Sequence, residues 1–154
     1  MHIEEVITES IIDLELAARD KSEALEMLAE LLFQDGRIRE KDSFICEVLK
    51  REETQTTDMG IGVAIPHGIT ELVLKPSVAI GKLKHPFMWD EDGEQPVYAI
   101  FLMATSPDEK GRSHIEIISR VASLLIEDDF VVFLKDSNDK AKLLQKINMY
   151  LGDK

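Results

Sequence analysis

The chain reads as an α/β protein, a single domain with a mixed β-sheet flanked by helices on both faces. Three observations predict this. Stretches with apolar residues at helical spacing alternate along the chain with short apolar runs suited to strands. The run Val97–Thr105 is almost continuously apolar, the pattern of a central strand covered on both sides. The length of 154 residues, with 44% hydrophobic and 31% charged side chains, is enough for one core, and no internal repeat or low-complexity tract divides it. One domain over residues 1–154 is expected.

The elements follow in order. Residues 1–16 are apolar at Ile3, Val6, Ile7, Ile11, Ile12, Leu14 and Leu16 without one clear period, which suggests a short lead-in to a strand near 13–16. Asp20 or Ser22 can cap a first helix whose apolar face is Ala24, Leu25, Leu28, Leu31 and Leu32, with Glu23 completing a capping box and Gly36 ending it. Asp42 can cap a second helix that turns Phe44, Ile45, Val48 and Leu49 inward and places Arg51 in its last turn. Residues 61–65 form a brief apolar run, and Pro66 ends regular pairing, so His67 is expected at a strand end. Residues 77–83 and Val97–Thr105 read as strands, separated by a turn at Asp90-Glu91-Asp92-Gly93. After a polar loop at 106–111, Ser113 with Glu116 three residues on signals a capped helix with Ile117, Ile118, Val121, Leu124 and Leu125 buried. Residues 130–134 suit a strand or a helical turn equally. Asn138 or Asp139 opens a last helix with Leu143, Leu144, Ile147 and Leu151 inward.

Charge and cysteine usage narrow the function classes. A formal net charge of −12 argues against nucleic acid and favours a basic protein partner. The acidic N-terminus lacks the basic start of a signal peptide, and no apolar run reaches membrane-spanning length, so a cytoplasmic location without direct membrane insertion is expected. The lone Cys46, set among Phe44, Ile45, Val48 and Leu49, reads as a buried thiol. His2 and His85 lie in unpatterned surroundings and read as solvated.

The chemistry converges on residues 51–68. Gly60 and Gly62 loosen the backbone before His67, and Gly68 lets a partner approach closely. If Ser113 caps its helix, His114 takes the first helical position, where free N–H groups and the helix dipole favour an anion. His114 also begins an apolar stripe through Ile118, Val121 and Leu125, which turns it inward. His67, His114 and Arg51 can therefore surround a phosphate-sized site with donors and positive charge. Taken singly, each residue has a plainer role: a hydrogen-bonded histidine after a proline, a histidine satisfying a helix start, and a C-terminal helix charge.

Other chemistries are excluded by pattern. The Gly60-Ile61-Gly62 pair lacks the third glycine of a dinucleotide fold, and no phosphate-loop Gly-Lys-Ser/Thr occurs. The histidines lack zinc-helix spacing and Cys46 has no neighbouring thiol, so no metal and no cofactor is expected. No Gly-x-Ser-x-Gly elbow is present.

Arg51-Glu52, Thr56-Thr57, Met59-Gly60-Ile61 and Val63-Ala64-Ile65-Pro66-His67-Gly68 together resemble the active-site signature of phosphotransferase-system enzyme IIA domains of the fructose, mannitol and nitrogen-regulatory class. The likeness runs from the helix at Asp20 to the last helix, and Ser113-His114 matches the family's second histidine. The resemblance implies that His67 accepts a phosphoryl group from a histidine phosphocarrier protein and passes it to a cysteine on a IIB domain, with a functional link to a membrane IIC component. It implies that His114 and Arg51 stabilise the transferring group, and Thr57 and Ser113 are expected to support phosphate binding. Asp58 stands where the family often has glycine, and its charge should raise the cost of holding phosphate nearby. Phosphoryl transfer asks a protein mainly to position groups and neutralise charge, and burial would keep His67 neutral and nucleophilic. Sugar specificity resides in the membrane component in this family. Two rival readings remain open: a nitrogen-regulatory protein whose phosphorylation controls protein partners, and an interaction module that has lost transfer.

Overall fold

The computed structural model describes residues 3–107 and 112–152, apart from the Ser113 side chain. Its centre is β5 (Val97–Thr105), which pairs antiparallel with β4 (Ser77–Phe87) on one side. On β5's other side lie β2 (Val63–Ala64) and β3 (His67–Ile69), both parallel to it and following one another along the same edge. At the far side of the sheet β1 (Ile12–Leu16) pairs parallel with β4. The sheet is therefore mixed, as the alternation of elements predicts.

Alternation over residues 99–104 explains why nearly all of β5 is apolar. Ala99, Phe101 and Met103 face a core built with α4 (Arg112–Ile126), α5 (Asp128–Asp136) and α6 (Lys140–Leu151), to which the short α1 (Ile3–Val6) adds Ile3 and Val6. Ile100, Leu102 and Ala104 face the opposite core, made with α2 (Lys21–Gln34) and α3 (Lys41–Thr54). Asp20 caps α2 by accepting from the Glu23 N–H at 2.8 Å, and Gly36 follows that helix at a φ of 71°. Asp139 caps α6, accepting from the Lys142 N–H.

Some expectations are sharpened by the structure and others corrected. Before β1 the chain forms α1 and a 3₁₀ turn at Glu9–Ile11, and the strand begins at Ile12. Glu40, not Asp42, stands at the start of α3, without a side-chain cap, and Asp42 falls inside the first turn. Cys46 is exposed because Phe44 and Val48, four apart, take the core face and leave the residue midway between them on the outer side. Residues 130–134 are helical within α5, where Phe130 and Leu134 share one buried face at a spacing of four. Arg112 already belongs to α4, so Ser113 lies inside the helix and the capping position falls outside the described residues.

Candidate active site

The site is assembled where α3 ends and β3 begins. The expected strand over 61–65 is split: β2 keeps only Val63 and Ala64, Pro66 interrupts the edge, and His67 opens β3 opposite Met103. Pro66 has no N–H to give the ladder, although its carbonyl still accepts from the Met103 N–H at 2.9 Å. Upstream, residues 57–59 fold back along 63–65, with Met59 N–H bonded to the Val63 carbonyl at 2.9 Å and Ile65 N–H to the Thr57 carbonyl at 3.0 Å. Gly60 and Gly62, at φ of 78° and 87°, make the reversal, and Tyr98 lies where a Cβ on Gly62 would project.

His67 is buried, with 8% of its surface exposed. Its Nδ1 lies 3.1 Å from the Ile65 carbonyl oxygen, which can only accept, so the proton sits on Nδ1 and the lone pair on Nε2. Burial pushes the imidazole below the ordinary histidine value. The Ile65 carbonyl and the Glu52 carboxylate oppose that shift, while the charges of Arg51 and His114 reinforce it. A neutral ring with one free nitrogen results.

Arg51 and His67 line two adjoining clefts together. One cleft is completed by Thr57, Asp58, Met59 and Ile118, the other by Glu47, Lys50 and Ile69. Arg51 is fixed by donating from Nη1 to the Gln55 carbonyl at 3.0 Å. His114 is the third residue of α4, half-buried, and its stripe runs inward through half-buried Ile118 to buried Val121 and Leu125. His67 and Arg51 thus share both clefts and the charge of His114 reaches His67, while His114 lies two positions deeper in its helix than expected.

Thr57, 5% exposed, donates its hydroxyl to the Glu52 carboxylate, so in this arrangement it fixes the loop. Asp58 bends back to accept from the Gly60 N–H at 2.9 Å, which occupies one carboxylate oxygen in closing the turn. Gly68 has a different use from the one expected. A Cβ there would stand 2.8 Å from Phe44 and 3.0 Å from Val48, so its bareness lets α3 press onto β3. His85 is exposed, and His2 lies outside the described residues. Among the described residues no three His, Cys, Asp or Glu side chains gather to hold a metal ion, and no helix is long and apolar enough to cross a membrane.

Sequence reasoning missed Trp89 and Lys21, and it placed Glu52 in the signature without a role. The Trp89 indole donates to Glu52 at 3.2 Å, and Lys21 Nζ lies 3.7 Å from the same carboxylate and 3.0 Å from Asp90. The available signal was an acid in the last turn of α3, where the helix dipole disfavours negative charge.

Comparison with known proteins gives the family. Residues 5–150 match the family model described as "Phosphoenolpyruvate-dependent sugar phosphotransferase system, EIIA 2", and the chain belongs to that family. It is 25% identical over 150 residues to a fructose-specific EIIABC component of Bacillus subtilis, a match covering 97% of this chain and 24% of that protein. It is 30% identical over 130 residues to a fructose-specific EIIA component of Haloferax volcanii, covering 84% of each. The chain thus spans about a quarter of the first relative's length and most of the second's. In fold it is similar to a nitrogen regulatory protein IIA-Ntr from Neisseria meningitidis, with a TM-score of 0.83 at 24% identity, over 94% of this chain and 97% of that one.

Proposed function

We propose that this chain is a phosphohistidine intermediate of a phosphoenolpyruvate-dependent sugar phosphotransferase system, one EIIA unit that accepts a phosphoryl group on Nε2 of His67 and passes it to a IIB cysteine. The observation that carries the reading is the hydrogen bond from His67 Nδ1 to the Ile65 carbonyl, which leaves Nε2 as the single nucleophilic nitrogen beside Arg51 and His114.

The Nε2 lone pair attacks phosphorus in line, and the phosphocarrier's own imidazole departs with its bonding pair. The Nδ1 proton stays in place throughout. Positive charge that the ring gains on phosphorylation is then shared with the Ile65 carbonyl and the nearby Glu52 carboxylate. Arg51 and His114 meet the negative equatorial oxygens, and Thr57 supports them by keeping the cleft wall in place. Ser113, expected as a phosphate support, lies in the same early turn of α4 as His114. In the onward step a thiolate attacks phosphorus and Nε2 leaves with its pair, regenerating the neutral ring. The fructose-specific relatives support a sugar system, and the A, B and C letters in the Bacillus name support a IIB acceptor linked to a IIC component.

Incubation with the general phosphotransferase proteins and phosphoenolpyruvate tests the reading. Stoichiometric label on histidine, absent in His67→Gln and chased onto a fructose-type IIB domain, is the expected result. Label surviving in His67→Gln would remove the nucleophile, and label that no IIB domain accepts would remove the sugar-transfer role.

A further inference from the structure

We propose that Glu52 is a positioning residue for transfer at His67, acting through Thr57, Ile65 and the imidazole in turn; the proposal rests on the phosphoacceptor reading above. Glu52 sits in the last turn of α3 next to Arg51, with only 5% of its side chain exposed. A buried carboxylate near a helix C-terminus is doubly unfavourable, because it is desolvated and faces the negative end of the dipole. Such a charge persists only where donors converge on it. Here they are the Thr57 hydroxyl, the Thr57 N–H at 3.4 Å, the Trp89 indole at 3.2 Å and Lys21 at 3.7 Å.

From that carboxylate an unbroken series of hydrogen bonds reaches the nucleophile. Thr57 donates its hydroxyl to Glu52, its carbonyl accepts the Ile65 N–H at 3.0 Å, and the Ile65 carbonyl accepts Nδ1–H of His67 at 3.1 Å. A second acid works beside the first. Asp90 accepts the Thr56 hydroxyl, and Lys21 bridges Asp90 and Glu52 while lying 4.8 Å from the centre of the Trp89 ring. Two consecutive threonines that line the His67 cleft are thus each held by a carboxylate, and one lysine ties the carboxylates together. Rotation of the imidazole about its χ angles is restrained at Ile65, and Ile65 is restrained from Glu52. The same turn of helix aims the Arg51 cation into the cleft and anchors the loop behind it.

The test uses the whole chain with Glu52→Gln, Thr57→Val and Thr57→Ser, following kcat and KM for transfer from the phosphorylated carrier, thermal unfolding, and emission of Trp89, the single tryptophan. Misplacing a reacting group by a fraction of an ångström to an ångström costs on the order of tenfold to a hundredfold in rate. Glu52→Gln and Thr57→Val are expected to lose about tenfold or more in kcat, with KM for the carrier within about twofold of wild type. Thr57→Ser restores the hydroxyl donor and should recover most of the loss, and Trp89 emission should change in Glu52→Gln because its hydrogen-bond partner has lost its charge. Thr57→Val keeps the proposal exposed to test where Glu52→Gln does not fold. Folded variants that transfer at wild-type kcat overturn the positioning role and leave the phosphoacceptor reading standing. A wild-type chain that takes no label at His67 overturns both.

Discussion

His67 and Ile65 hold each other across Pro66: Nδ1 of the imidazole lies 3.1 Å from the carbonyl oxygen two residues earlier. The proline makes this contact possible. It keeps Ile65 extended and interrupts the edge of the sheet, so the Ile65 carbonyl is turned to the ring that follows.

A first prediction concerns pH. Burial lowers the His67 titration below the ordinary value of about 6.5, so the ring is neutral at pH 7. Between the folded and unfolded values the unfolded chain binds more protons, so this group adds stability above about pH 6.5 that drains away as pH falls toward the folded value. Imidazole NMR titration should place the His67 midpoint below that of a free histidine, with phosphoryl acceptance falling on the acid side of that same midpoint. A midpoint above 6.5 would contradict the burial argument.

Arg51→Ala and His114→Ala should fold normally, because Arg51 and His114 are only half-buried, and each should transfer slowly. Removing one group aimed at developing negative charge costs about a hundredfold or more in rate. Rapid-quench transfer measured beside thermal unfolding checks this, and wild-type rates in either variant would take that residue out of the site.

Gly68→Ala should lose stability and activity together. The new Cβ would meet Phe44 at 2.8 Å and Val48 at 3.0 Å, and overpacking of this kind costs about 1–3 kcal/mol. Denaturant unfolding measures the first effect and single-turnover transfer the second. An unchanged transfer rate in a destabilised variant would show that α3 can shift without disturbing Arg51.

Salt should slow the transfer step. The net charge of −12, with exposed Glu71 and half-buried Asp58 near exposed Met59 and half-buried Ile69, suits a basic carrier face that docks briefly over an apolar centre. The Debye length is about 10 Å at 0.1 M, so raising ionic strength toward physiological values should lower the second-order rate in stopped-flow measurements. A rate indifferent to salt would assign the acidic surface to solubility.

The parts legible in the sequence were those set by local rules. Helical spacing gave the faces of α2, α4 and α6, and the apolar run at Val97–Thr105 marked the doubly covered centre. The association of His67 with Arg51 was legible because one ends a proline-bounded segment and the other ends a helix. What escaped depends on contacts between distant segments. Glu52 is legible beside Arg51 in the signature, but only the approach of Trp89 and Lys21, 37 and 31 positions away, reveals it as a buried anchor. Gly68 invited a functional reading until Phe44 was seen to fill the space above it. Cys46 differs from its expectation because Phe44, Ile45, Val48 and Leu49 all share the core side of α3 and leave position 46 outside it.

The bare backbone at Gly68 has a consequence for local unfolding. Helix α3 is seated there by Phe44 and Val48, and one turn later the same helix carries Arg51 and Glu52. Any opening that lifts α3 from the sheet removes Arg51 and Glu52 in one motion, so under the proposed function partly open molecules should lose transfer before the rest of the fold opens. Amide exchange along α3 should therefore follow loss of transfer competence as denaturant is added, even while the opposite core around Phe101 and Phe130 stays closed.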